Sequence, residues 1–192
     1  MMELHNVIPS LVPKPYYCAK LQSNPQPLLL SVKADSETQS SSPSSFIILE
    51  FIDISDDRPD PAQLCAGLAE FHLRNQSPTG KFGFHVQNYQ GNVLQTVNWD
   101  SSWLSFFKRL ITDLFDAEVV LNGRWPPYET TFDMLIQYVL PSLLGPLQAD
   151  GRSIKPCMVH GNLTVGNAPT NLATGSPILF DAAALSVRIS RI

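Results

Sequence analysis

Charge is scarce in this chain, and so is every kind of staple. Only 16% of its 192 residues are charged, with a net charge of −4, so the basic footprint of a nucleic-acid-binding surface is excluded. Cysteine is limited to Cys18, Cys65 and Cys157, far apart and with no CxxC pair. That leaves no zinc site and no disulfide framework, and free thiols in a reducing compartment are expected. No apolar run approaches the ~18 residues a spanning helix needs. Near the N-terminus Val7, Ile8, Leu11 and Val12 are broken up by Pro9, Pro13 and Pro15, so no secretory segment is expected either. No internal repeat is present. The 44% of hydrophobic residues is what a globular core requires. The expectation is a cytoplasmic protein with no nucleic-acid or membrane partner.

The apolar pattern divides the chain in two. Met1 to Ile8 reads as a short helix ended by Pro9. "VPKPYYCAK" (Val12–Lys20) is a proline-rich entry into a strand around Tyr16–Ala19, which a second run, Leu28–Val32, extends or pairs with. "KADSETQSSSPSS" (Lys33–Ser45) has too little apolar surface to offset the entropy of ordering, and a flexible insertion is expected there. "FIILEFIDI" (Phe46–Ile54) is predicted as a buried strand.

Helical signals follow. Asp60 is an N-cap with Pro61 behind it, and Leu64, Leu68, Phe71 and His72 fall on one helical face. Ser77–Val86 is a glycine-rich loop. A second helix is predicted over Trp99–Phe115 with Trp103, Phe106, Phe107 and Leu110 inward. A third is predicted over Tyr128–Leu147 with Met134, Leu135, Tyr138, Val139 and Leu143 inward and a kink at Pro141. Two short strands, Pro156–Val159 and Pro177–Phe180, close the pattern around a polar loop. The fold class expected is α+β, with residues 1–55 a partial N-terminal lobe and hinge (33–45 inserted) and 56–192 an incomplete helical lobe.

The chemistry lies in "VHGNLTVGN" (Val159–Asn167) and "PILFD" (Pro177–Asp181). Phosphoryl transfer asks for positioning and charge neutralisation: a group that orients the acceptor hydroxyl, and two that hold Mg²⁺ against the ATP phosphates. Asn162, then Asn167, then a strand ending in Asp181 fit that scheme. Singly, each has a plainer reading: an HGN after a strand is more often a turn, and a strand-end aspartate more often a cap. Together, at this spacing, they are much less expected by chance. His160 is expected to hold the loop by hydrogen bonds. The order of elements is that of a protein-kinase-like chain from its fourth strand onward.

Over most of its length the sequence resembles the fructosamine kinase (ketosamine 3-kinase) family, its fungal members in particular. The matching pieces are "VPKPY" (Val12–Tyr16), "LEFIDI" (Leu49–Ile54), "LAEFHLRNQSPTGKFGFHV" (Leu68–Val86) and "GNVLQTVNWDSSWLSFF" (Gly91–Phe107), then "GRSIKPCMVHGN" (Gly151–Asn162) and "PILFDAAA" (Pro177–Ala184). The resemblance implies a protein-ribulosamine 3-kinase activity in protein deglycation. The ATP γ-phosphate would pass to O3 of a ketosamine, and the unstable adduct would leave the lysine free. It further implies ATP and Mg²⁺ as cofactors, and glycated lysines of proteins or small ketosamines as partners. Asn167 and Asp181 would be the metal ligands, Asn162 would face the sugar hydroxyl, and the main chain of Glu50, Phe51 and Ile52 would meet adenine at the hinge. Three departures accompany it. Asn162 stands where the family has aspartate, and an amide orients a hydroxyl without taking its proton. The resemblance begins beyond the family's glycine-rich phosphate loop and strand lysine, leaving Glu3 as a poor partner near a helix end, and it stops after Ala184. "LTVGN" also replaces "LWSGN" or similar. The expectation is a member truncated at both ends and impaired in turnover, the alternative being an inactive pseudokinase or binding module.

Overall fold

Among the described residues, four pairs of short antiparallel strands, in place of one continuous sheet, are set among the helices of this α+β chain. The computed structural model describes residues 1–20, 45–55, 57–91 and 93–188. The expected strand Leu28–Val32, and the expected insertion up to its last residue, lie outside them. Among the described residues no helix is long and apolar enough to cross a membrane.

The chain opens with helix α1 (Met2–Val7), then strand β1 (Pro15–Lys20) pairs with β2 (Ser45–Leu49). The strand predicted to run buried to Ile54 is shorter and open: Phe46, Ile47 and Ile48 are 39%, 42% and 50% exposed. A two-stranded sheet covers neither of its own faces, so apolar composition alone does not bury it. Beyond it Ile54–Ser55 (β3) pairs with Thr170–Asn171 (β7), next to the site.

Helix α2 (Pro61–Arg74) starts as its sequence dictates: the Asp60 carboxylate accepts the Ala62 N–H at 3.0 Å, with Pro61 pre-set for the first turn. Phe71 is buried on its inner face, and Leu64 and Leu68 pack beside it. The loop that follows runs through Phe82, which is fully buried, into the hairpin of β4 (Tyr89–Gln90) and β5 (Val93–Leu94).

Helix α3 spans Trp103–Asn122, later at both ends than the predicted Trp99–Phe115. Its start is fixed by Ser102, whose hydroxyl accepts the Ser105 N–H at 3.2 Å, while Asp100 accepts the Ser102 N–H at 2.8 Å. Trp103, Phe106 and Leu110 are buried as expected. Arg109 closes onto Asp100 from the next turn. Burial pushes the Asp100 carboxyl up, but Arg109 and the hydrogen bonds from Ser102 and Ser105 outweigh it and hold the group below its ordinary value.

The third helical run is segmented: α4 (Pro126–Met134), a π-turn over Leu135–Val139, α5 (Leu140–Leu144), and a tight last turn over Gly145–Gln148. Pro141 has no N–H to give the preceding turn, and the widened π-turn sits beside it. That turn rotates the face presented by the residues after it. Met134, ahead of the turn, and Tyr138, Val139 and Leu143, within and beyond it, all predicted inward, are exposed, and Leu140 is buried.

Two cores result. Leu4, Ile8, Leu11 and Val12 pack with Phe71, Met158 and Leu179, so the N-terminal residues form one body with the region around the polar loop after Val159. Phe82, Val97, Trp103, Phe106, Leu110 and Leu185 form the other, and Phe84 touches both.

Candidate active site

Strand β6 (Pro156–Val159) delivers the polar loop, as expected, but its partner is not Pro177–Phe180. It pairs with β8 (Leu185–Arg188), Val159 opposite Leu185. Residues 177–180 form instead the return arm of an inner hairpin. The Pro169 carbonyl accepts from Ile178 N–H at 2.9 Å, the Asn167 carbonyl accepts from Phe180 N–H at 2.9 Å, and Leu179 N–H reaches the Leu11 carbonyl at 2.7 Å. Both arms read as short apolar runs in sequence. Pairing is decided by the fold, because β8 closes the outer loop and leaves the inner arm to its own turn.

Asn167 and Asp181 therefore meet at the mouth of one hairpin. Asn162 joins them: its side-chain Nδ2 donates to Asp181 Oδ2 at 2.8 Å and to the Asp181 main-chain oxygen at 3.2 Å. Its own main-chain oxygen accepts from Asn167 Nδ2 at 2.8 Å. Two backbone conformations make this possible. Asp181 has φ 53°, left-handed and unusual for a residue with a Cβ, and Gly161 has φ 78°. At Gly161 there is also no room, since a Cβ would lie 2.0 Å from the Ala183 carbonyl oxygen.

His160 lies behind the loop, 3% exposed, and its Nδ1 accepts the Asn162 N–H at 3.3 Å. Burial pushes the imidazole below its ordinary value, against the Phe180 backbone and the Asp181 charge, which pull the other way. With Nδ1 accepting, the ring is neutral and Nε2 carries the proton, buried without a partner among the described residues.

The hinge is less open than predicted. Glu50 N–H is committed to the Lys14 carbonyl at 2.7 Å, and the Glu50 carboxylate accepts the Lys14 N–H at 3.2 Å. What Glu50 can offer a base is its carbonyl, next to the main chain of Phe51 and Ile52; the Phe51 side chain is 86% exposed. Glu3, at the start of α1, points to His85, 3.6 Å away.

No trio of His, Cys, Asp or Glu that could hold a metal ion occurs among the described residues. A cation here would rest on one carboxylate, Asp181, and on the amide oxygen that Asn167 presents once its Nδ2 is occupied. That donor set fits Mg²⁺ in the manner of sites that borrow oxygens from substrate phosphates, and not as an all-protein cage.

The sequence reading missed several residues that hold the site. Asn75, the residue capping α2, is buried and uses both ends of its amide: Nδ2 donates to the Phe71 and Met158 carbonyls at 2.7 and 3.1 Å, and Oδ1 accepts Met158 N–H at 2.6 Å. It ties α2 to β6. Ser77 N–H reaches the Pro156 carbonyl at 3.0 Å, and Asn88 Nδ2 the Ala184 carbonyl at 2.7 Å. An amide directly after an amphipathic helix was the available signal for Asn75; nothing local marks Asn88.

A loop leaving one strand, with an asparagine facing an aspartate across a hairpin, belongs to a protein-kinase-like fold. The fructosamine kinase family model matches residues 4–186, and the chain belongs to that family. It is 31% identical over 148 residues to a chloroplastic protein-ribulosamine 3-kinase of Oryza sativa subsp. japonica, covering 72% of this chain and 38% of that one. To the protein of the same name in Arabidopsis thaliana it is 30% identical over 148 residues, 72% of this chain and 40% of the relative. A solved structure of a candidate fructosamine-3-kinase from Haemophilus somnus superposes with a TM-score of 0.56 at 22% identity, over 74% of this chain and 44% of the other. The chain thus spans about two fifths of the length of these curated relatives.

Proposed function

We propose that this chain carries the acceptor and metal side of an ATP-dependent ketosamine 3-kinase site, acting on ribulosamine or fructosamine adducts of lysine. Family membership supports the reaction class. The observation that carries the reading for these residues is the hydrogen-bonded convergence of Asn162, Asn167 and Asp181 at one hairpin mouth. In it Asp181 and the Asn167 amide oxygen would hold Mg²⁺, which supplies charge neutralisation for the transferred phosphoryl group. The Glu50 carbonyl and the main chain of Phe51 and Ile52 would meet adenine. Residues 1–55 would be the lobe and hinge on the nucleotide side, and 56–192 the helical lobe. His160 holds the loop from behind and takes no proton from the acceptor.

Asn162 would position the sugar hydroxyl without deprotonating it. General-base help contributes about 10²–10⁴-fold, so turnover should fall below the ~1–100 s⁻¹ usual for kinases. An inactive nucleotide-binding member is the second reading, and the same Asn162 favours it. Two measurements test these statements. Titration calorimetry with Mg²⁺-ATP should show binding that Asp181→Ala weakens about tenfold or more; unchanged binding refutes the metal site. Turnover of a ribulosamine-lysine substrate at ~1 s⁻¹ or faster refutes the role given to Asn162, and turnover indistinguishable from zero selects the second reading.

A further inference from the structure

The contact between Asn162 and Asp181 has an effect on the cation site that family membership does not carry. The Asn162 amide nitrogen donates twice to Asp181, toward Oδ2 at 2.8 Å and toward the main-chain oxygen at 3.2 Å. The amide can face no other way, because a carboxylate only accepts and Oδ1 of Asn162 would meet it lone pair to lone pair. Asp181 receives this pair of bonds at its unusual φ of 53°, and Asn162 is fixed in turn by Asn167 Nδ2 donating to its main-chain oxygen. An aspartate at position 162 could make neither bond to Asp181 as an anion. It would set two carboxylates side by side, a repulsion that a divalent cation relieves.

We propose that Asn162 is a positioning residue that latches the Asp181 carboxylate in a cation-free arrangement and thereby sets the divalent-ion affinity of the site. The proposal rests on the reading of Asp181 as a metal ligand. The amide does for Oδ2 part of what a cation would do: it neutralises the lone pairs and fixes the direction of the carboxylate. An incoming ion must displace that hydrogen bond or make do with the remaining oxygen. These bonds pre-orient the carboxylate, and the ligand that gains most from it is a phosphate-bearing nucleotide already carrying its ion.

The experiment measures binding of Mn²⁺ alone, without nucleotide, by the loss of the free-ion electron-spin-resonance signal. The native chain is compared with Asn162→Ala, Asn162→Asp, Asp181→Ala and the Asn162→Ala/Asp181→Ala double variant. Freeing Oδ2 should make Asn162→Ala bind Mn²⁺ roughly three- to tenfold more tightly, the factor expected for one hydrogen bond of ordinary net strength. Asn162→Asp should bind more tightly still, and the double variant should lose the gain. A residue that merely shaped the loop would lower affinity on truncation, so the sign of the change is decisive. Asn162→Ala binding no more tightly than the native chain overturns the proposal, even if Asn162→Asp gains from its added charge. Mn²⁺ binding that survives Asp181→Ala unchanged refutes the metal site itself, and is a distinct result. Thermal melts of each variant without Mn²⁺ confirm that folded protein is compared.

Discussion

Replacing Gly161 with alanine adds one methyl group at the point where the loop after Val159 crosses the segment after Asp181. Two penalties act there together. The φ of 78° costs a residue with a Cβ about 1–2 kcal/mol. The new Cβ would sit 2.0 Å from the Ala183 oxygen and 2.8 Å from its carbonyl carbon, where ordinary C···O contacts begin near ~3.3 Å. Main chain cannot swing aside as a flexible side chain can. The loop must retreat by about 1 Å, stretching the Asn162–Asp181 and Asn167–Phe180 hydrogen bonds, each worth about 0.5–1.5 kcal/mol. The sum is ~3–5 kcal/mol, a large part of the ~5–15 kcal/mol that keeps a domain folded. Two other glycines separate the causes. Gly80 has φ 67° with nothing within 4 Å of a Cβ, so Gly80→Ala should cost only the conformational part, about 1 kcal/mol. Gly166 has neither problem, its nearest neighbour being Thr164 Oγ1 at 4.0 Å, and Gly166→Ala should stay within ~0.5 kcal/mol of native. Urea denaturation of the three variants measures these differences. If Gly161→Ala lies within ~1 kcal/mol of Gly80→Ala, the close crossing of the two segments is wrong.

Three further outcomes are expected. Burial holds His160 and His72 below their ordinary values, so the unfolded chain takes up protons that the folded chain refuses. Stability should therefore fall as pH drops below the unfolded value of about 6.5, and His160→Gln should flatten that slope; an unchanged slope in thermal melts from about pH 7 to 5 refutes the assignment. Asn75→Ala strips both main-chain partners from Met158 and should cost ~2–4 kcal/mol in denaturant titration. Phe106→Ala empties a fully buried site and should cost ~3–5 kcal/mol by the same assay, with a loss under ~1 kcal/mol contradicting the second core.

What could be read in the sequence was what is local. Asp60-Pro61 marked the start of α2, and the spacing of Trp103, Phe106 and Leu110 marked the inner face of α3. The helical run after Pro126 was legible as helix but not as to its face, because a π-turn moves every later side chain round the axis and leaves no simple mark in composition. Phe46–Leu49 looked buried because apolar strands usually are; only the two-stranded pairing shows both faces open. The same holds at the site. The spacing of Asn162, Asn167 and Asp181 announced a constellation, and the structure brings the three together. That Asn162 would turn its amide onto Asp181 depends on two left-handed residues, Gly161 and Asp181, lying across from each other. The pairing of β6 with β8, and the buried Asn75 behind it, are contacts between distant parts of the chain that no window of sequence contains.

Because Val159 and Leu185 are paired, everything between them is one loop tied off at its base. Closing a loop of that length costs about 3 kcal/mol of chain entropy, which the β6–β8 ladder and the two cores offset, the first core drawing Ala168, Leu179 and Ala184 from the loop itself. Inside it, shape is set by Gly161, by the Asn167–Phe180 main-chain bond and by buried His160. The backbone framework is thus largely separate from the identity of the side chain at position 162. Architecture of this kind lets selection on chemistry and selection on folding act on different residues. A substitution at position 162 can redefine what the loop does to a ligand while costing the fold only the bonds of that side chain to Asp181, and the family shape can outlast a change of trade.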